Sequence, residues 1–269
     1  MSSPSDEPMS AESGRSDGRG AEEFRNVFIK TKVLSQAKGS AYVEFNNTKV
    51  MVGVFGPRQS ERKHGFRSTG MLECQLRLSS FAAKQLAPTA QQQQQVSLEK
   101  ELAASILQAL TASVQLEKFP KAVFDVSVMV LEAGGADLAV AITAASVALA
   151  DAGLELFRPG TRVSSGVSFI KSALDRMPLQ VRMPGSQNGC AGSSSEPYLL
   201  LDPTIQESRR AEASCMLSMM VGLNQVTHTD TSGVWSRAGL QEALELGMGG
   251  CGMLKVEMRE ALLEAAVSS

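Results

Sequence analysis

VFDVSVMVLEAGGADLAVAITAASVALADAG, residues Val123 to Gly153, changes its hydrophobic period halfway along. Phe124, Val126, Val128 and Val130 alternate with Asp125, Ser127 and Met129, the period of a strand with one buried face. Gly134-Gly135 turns the chain, and the alanine-rich run from Asp137 to Ala152 predicts a helix that ends at Gly153, where a C-terminal cap places glycine. Small side chains on that helix let its axis come close to a sheet or to a second helix.

Upstream, Ala41 to Phe45, the turn Asn46-Asn47, and Thr48 to Phe55 predict a hairpin, with Gly56-Pro57 ending its second strand. Period-two patterning begins at Val27. Between the hairpin and a strand expected at Met71–Leu78 lies a basic loop, in which Arg58, Arg62, Lys63, His64 and Arg67 face one acid, Glu61. The glutamine tract Gln91–Gln95 reads as a flexible join. Leu98, Leu102, Ile106 and Leu110 recur every four residues, so a helix is expected there, closed by Phe119-Pro120.

Downstream, strands are expected at Val163–Ile170, Tyr198–Asp202 and Ala213–Val221, and Leu223–Thr229 should pair antiparallel with the last of these. Residues 172–197 mix Pro, Gly, Ser, Gln and Asn and read as an insertion. Ser236 to Ala265 should be helical, with Gly247, Gly249, Gly250 and Gly252 marking a kink or a close backbone contact. The order of elements predicts an α+β fold, a mixed β-sheet packed with α-helices.

The chain has 269 residues and a formal net charge of -2, which excludes a polybasic binder that grips nucleic acid over its whole surface. The average hides a split: Asp6, Glu7, Glu12, Asp17, Glu22 and Glu23 outweigh Arg15 and Arg19 in a polar tail, residues 1–23, that is expected to be disordered. Residues 24–269 are expected to form a single domain. Aromatics are 5% of the chain, so a core of Val, Leu, Ile, Ala and Met is expected, and a stacked-aromatic RNA module is not. Cys74, Cys190, Cys215 and Cys251 lack metal or disulfide spacing and should be free thiols, as in a reducing compartment. The N-terminus has no apolar signal segment, and no apolar run is long enough to span a bilayer, so no membrane association is expected. Met216, Met219 and Met220 read as core or interface.

Three segments carry a resemblance: QAKGSAYVEFNNTKVMVGVFGPR (Gln36 to Arg58), the opening stretch, and LLLDPTIQESRRAEA (Leu199 to Ala213). In order and spacing they resemble the RNase PH family, and within it the ring subunits of the RNA exosome. The resemblance implies an RNase PH-like domain of the ribosomal protein S5 domain 2-like type. It implies a place in a hetero-oligomeric six-membered ring with other RNase PH-like subunits, beside the exosome cap subunits. The ring threads single-stranded RNA, which this chain would touch weakly, in the nucleus, nucleolus and cytoplasm.

Active members attack the terminal RNA phosphodiester with inorganic phosphate, held by an arginine after a Gly-Gly-Thr turn. The matching turn here is Gly134-Gly135-Ala136-Asp137, and no Lys or Arg occurs between Lys121 and Arg158. A carboxylate there opposes a phosphate by about 4 kcal/mol at about 4 Å and an effective dielectric near 20. The family also carries paired acids six residues apart that help bind metal. Asp202 matches the first, and Ser208 stands where the second belongs. The expectation is therefore a degenerate site around Asp137, Asp202 and Ser208, with no catalytic residues, no metal and no cofactor. Asp202 reads as a turn residue before Pro203.

In the family the loop after the second strand faces the central pore, which makes Arg58, Arg62, Lys63 and Arg67 candidates for the RNA path. A solvated loop or a subunit interface is the alternative. Three readings stay open: a non-catalytic ring subunit, an active phosphate-dependent 3′-5′ exoribonuclease, and a freestanding small-molecule enzyme that shares only the fold.

Overall fold

Asn46 adopts a left-handed backbone (φ 51°) in the tight turn that pairs β2 (Gly39–Phe45) with β3 (Thr48–Gln59), Phe45 opposite Thr48. The computed structural model describes residues 15, 17–59, 69–82, 92–154, 164–172 and 198–267. β1 (Val27–Thr31) joins the hairpin on one side, and β5 (Ala122–Glu132) lies antiparallel to β3 on the other. β4 (Met71–Leu78) runs parallel to β5. The result is a mixed five-stranded sheet in the order β1-β2-β3-β5-β4. A parallel pair needs a long crossover. Here it contains α1 (Gln92–Thr111) and a short 3-10 turn, Leu116–Lys118.

The expected α+β arrangement of a mixed sheet packed with helices is present, and a second sheet joins it. β6 (Ser164–Ser172), β7 (Tyr198–Leu201), β8 (Ala213–Met220) and β9 (Gln225–Gly233) form a separate antiparallel sheet, ordered β7-β6-β8-β9. Between the sheets runs α2 (Asp137–Asp151), packed on β2 and β3 from one and on β6 and β8 from the other. That placement explains its composition. Every residue from Ala139 to Leu149 is buried, and a helix covered all round has no polar face to show. Gly39 lies so close to the last turn of α2 that a Cβ would collide with the Ala152 nitrogen and the Ala148 carbonyl. The alternating valines of β5 meet those of β2 and β3: Val43, Val50, Val52, Val54, Val126, Val128 and Val130 are all essentially inaccessible. Each contributes roughly 1.5–3 kcal/mol relative to exposure.

Four expectations change. Gly56-Pro57 does not end β3: the chain bulges there and pairing resumes with Arg58 opposite Val123. Gln92–Gln95 form the first turn of α1, since glutamine is a good helix former. The terminal helix α4 (Arg237–Val267) runs unbroken through its glycines. Gly250 marks a close contact with another element, where a Cβ would come within 3.0 Å of the Phe24 ring. Residues 1–23 were expected to be disordered, yet Arg15 is 8% exposed and bonded into the domain, because a buried acceptor set awaits its guanidinium. Residues 173–197 of the insertion, and Cys190 within it, lie outside the described residues.

Met216 and Met219 are in the core. Cys74 and Cys215 are free thiols. Burial pushes Cys74 up to about 12, so it is an inert thiol. Among the described residues, no helix is long and apolar enough to cross a membrane.

Candidate functional site

The turn from β5 into α2 and the turn from β7 into α3 (Ile205–Arg210) pack back to back. Gly135 has φ 107°, and a Cβ on it would strike the backbone of Pro203 and Thr204. The Ile205 N–H donates to the Gly134 carbonyl at 2.9 Å, tying the turns together. Asp137 opens α2, and Asp202, in a left-handed conformation (φ 48°), ends β7. Aspartate tolerates that region better than most residues.

A third element closes the site, the segment before β1. Arg25 is 3% exposed, and its Nε and Nη2 donate to the two oxygens of Asp202 at 2.8 and 2.7 Å. The Arg25 backbone N–H adds a third bond to the same carboxylate, at 3.0 Å. The guanidinium also donates to the Gly134 and Gly135 carbonyls and to Thr48 Oγ1. Thr48 Oγ1 in turn donates to the Gly135 carbonyl and accepts from the Gly134 N–H. The glycine turn therefore shows Arg25 its carbonyls, and the Gly134 N–H, which an anion would need, is already bonded.

Arg15 repeats the pattern one layer out. It grips Glu207 at two points, 3.0 and 3.1 Å, and reaches the Leu201 and Asp202 carbonyls. Glu207 caps α3 through a reciprocal pair with Thr204. Burial raises the Glu207 carboxyl, but the Arg15 and Thr204 bonds outweigh it and hold it below its usual value. Arg19 pairs with Asp17 at 2.7 Å and stands 3.7 Å from Asp202.

Asp137 relies on backbone N–H groups of its own turn. Its Oδ1 is buried with no hydrogen bond among the described residues, though part of the residue reaches the surface. Burial pushes its carboxyl up to about 6, against the opposing pull of Arg25 and of nearby backbone N–H groups. Ser208 is exposed on α3. Of the three positions expected to share a site, Asp137 and Asp202 converge on Arg25, and Ser208 lies on the wet side of its helix. No cluster of three metal-binding side chains occurs among the described residues.

Arg58 lies elsewhere, at the end of β3. Its guanidinium contacts both oxygens of Asp125 and reaches Glu73 at 3.0 Å. Arg62, Lys63 and Arg67 lie outside the described residues. The sequence reading missed Arg15, Arg19 and Arg25. The available signal was three arginines placed four and six residues apart in an otherwise acidic tail, ending where period two begins.

Comparison with known proteins gives a consistent picture. Residues 23–155 match the model of the 3′ exoribonuclease family, domain 1, designated RNase PH. The chain is 33% identical to the Arabidopsis thaliana exosome complex component RRP41-like, over 95% of this chain and 86% of that one. It is 36% identical to the human exosome complex component MTR3, over 90% of this chain and 84% of that one. Among solved structures, rice Rrp46 overlays with a TM-score of 0.69 at 21% identity, covering 91% of this chain and 98% of that one. An archaeal exosome core chain overlays at 0.65 with 20% identity and 91% of each chain covered.

Proposed function

The chain belongs to the RNase PH family of 3′ exoribonucleases, and from that premise we propose that it is a non-catalytic subunit of an RNA exosome ring. It would occupy one place in a six-membered ring of RNase PH-like subunits, next to the cap subunits, and line part of the path of single-stranded RNA. The ring would serve 3′-5′ processing and decay, including ribosomal RNA maturation and mRNA turnover, in nucleus, nucleolus and cytoplasm. Relatives over nearly the whole chain are exosome components, which supports the ring.

One observation carries the non-catalytic part: the charge balance around the glycine turn. Arg15, Arg19 and Arg25 each contact a carboxylate, and Asp17, Asp137, Asp202 and Glu207 outnumber them, three cations to four acids. A phosphate entering there meets net negative charge, carbonyl oxygens and arginines already engaged. Asp202 has both oxygens bonded to Arg25, which suits a structural anchor better than a metal ligand. The arrangement holds two turns and the segment before β1 together, which supports a structural role over a phosphate seat.

The test is phosphorolysis. The purified chain, and the complex assembled with its partners, are given single-stranded RNA with and without inorganic phosphate, and nucleoside diphosphates are measured. The chain alone should release none. Phosphate-dependent release by the chain alone would establish the active reading instead.

A further inference from the structure

A groove of about 820 Å³ separates the segment before β1 from α4. Phe24, Met253 and Leu254 supply its apolar lining, and Glu22, Glu23 and Glu257, all exposed, supply its charge. Arg25 also lines it, but that guanidinium is buried and paired with Asp202.

The outer face of α4 continues this surface. Ala243, Gly247, Gly250, Cys251, Leu254 and Met258 point to the core. On the opposite side, at helical spacing, come Gly249, Gly252, Met253 and Val256. Met253 is 52% exposed and Val256 53%. Glycine weakens a helix interior, and an outward face normally carries charged helix formers instead. The fold gives these two glycines no internal reason: a Cβ on Gly249 or Gly252 would meet nothing within 4 Å. Gly250, between them, has its reason in Phe24. A backbone left bare toward solvent, beside exposed methionine and valine, lets another chain approach closely.

We propose that this groove and the bare strip of α4 bind a short peptide segment of a partner protein, one that carries apolar side chains flanked by Lys or Arg. The charge of the rim selects that occupant. Three exposed glutamates around an apolar floor attract cationic flanks and repel the phosphates of RNA or of an anionic membrane surface. The volume lies in the range of pockets that enclose compact ligands, and Phe24, Met253 and Leu254 offer an apolar anchor point of the kind that dominates peptide recognition. The proposal stands apart from the reading of the glycine turn, since none of its argument uses catalysis.

The probe is a fluorescein-labelled heptapeptide alternating Lys or Arg with Leu, titrated with the full chain at physiological salt and followed by anisotropy. Two control peptides carry Ser in place of Leu, or Glu in place of the cations. The Leu and Lys/Arg peptide should bind at least tenfold more tightly than either control. Met253→Asp, and the triple reversal Glu22→Lys, Glu23→Lys, Glu257→Lys, should each weaken it at least tenfold. Gly252→Ala separates docking from folding: it should raise the thermal midpoint and still weaken the peptide severalfold. Equal binding of the Ser control would show a diffuse acidic surface and overturn the proposal. So would variants that bind like the parent, RNA competing for the groove, or a Met253-dependent dimer of this chain.

Discussion

Arg25 on Asp202 and Arg58 on Asp125 are the same bond twice, a guanidinium laid at two points on a carboxylate, and they differ in their access to water. Both side chains of the first pair are 2% exposed, whereas those of the second are 42% and 36% exposed. At the surface, water screens the attraction and solvates either ion alone, so the pair contributes little. Inside, neither ion has a substitute for its partner, and removing one strands the other. Arg25 also satisfies Thr48 and two glycine carbonyls, whereas Arg58 adds a contact to Glu73. Geometry alone would rank the pairs as equals; burial makes one a fastener of the fold and the other a surface feature.

The largest expected effect follows directly. Arg25→Ala should cost about 3–5 kcal/mol in urea unfolding, the usual consequence of stranding a buried charge. Arg25→Lys should recover only part of it, since an ammonium cannot make the two-point contact. Arg25→Met combined with Asp202→Leu should be more stable than either single change, because no ion is then left buried. If Arg25→Ala costs under about 1 kcal/mol, burial is not what distinguishes the two pairs.

Asp137 comes next, and its sign is opposite. Its folded value of about 6 lies above the ordinary 3.8. Between those values the folded state holds more protons than the unfolded one, so stability should fall as pH rises from about 4 to 6 and level off above. A shift of that size is worth at most about 3 kcal/mol, and partial water access brings it to about 1–2 kcal/mol. Asp137→Asn should be more stable than the parent by that amount at pH 7.5, and should flatten the pH 4–6 slope. A destabilised Asp137→Asn would mean that Arg25 needs both acids. Arg15→Ala is expected to cost about 1–2 kcal/mol through its charged hydrogen bonds. Glu207 is held below its usual value, so its contribution is present above about pH 4.5 and lost as acid protonates it. Arg15→Ala should therefore make the acid limb shallower.

These regions also differ in how far the sequence disclosed them. β5, its glycine turn and α2 were legible because two hydrophobic periods meet there, and period reports burial directly. The separation into two sheets was not, since strand patterns do not say which strands pair across a helix. Asp202 was legible as a position but not as a bond. Its partner lies 177 residues earlier, just past a segment whose composition reads as solvated tail. Composition averages over residues, and one buried arginine in a polar run does not move the average. The glycines of α4 were visible in the sequence, but their meaning was not. Gly250 answers to Phe24, whereas Gly249 and Gly252 face open space, a distinction that only the packing draws.

The smallest expected effect on stability belongs to Arg58, and it sharpens the question of the RNA path. Arg58→Ala should change unfolding free energy by less than about 1 kcal/mol. Its charge is shared between Asp125 and Glu73, two acids to one cation, so a phosphate must draw the guanidinium away from both before gaining anything. The acids should therefore govern RNA contact more than the arginine does. In the assembled complex, Glu73→Gln with Asp125→Asn should tighten RNA binding by more than Arg58→Ala weakens it, with affinities compared across a salt series. If instead Arg58→Ala alone lowers the salt slope by about one, Arg58 reaches phosphate in the presence of its acids, and the exposed pair is a functional contact that exposure to water leaves free to exchange.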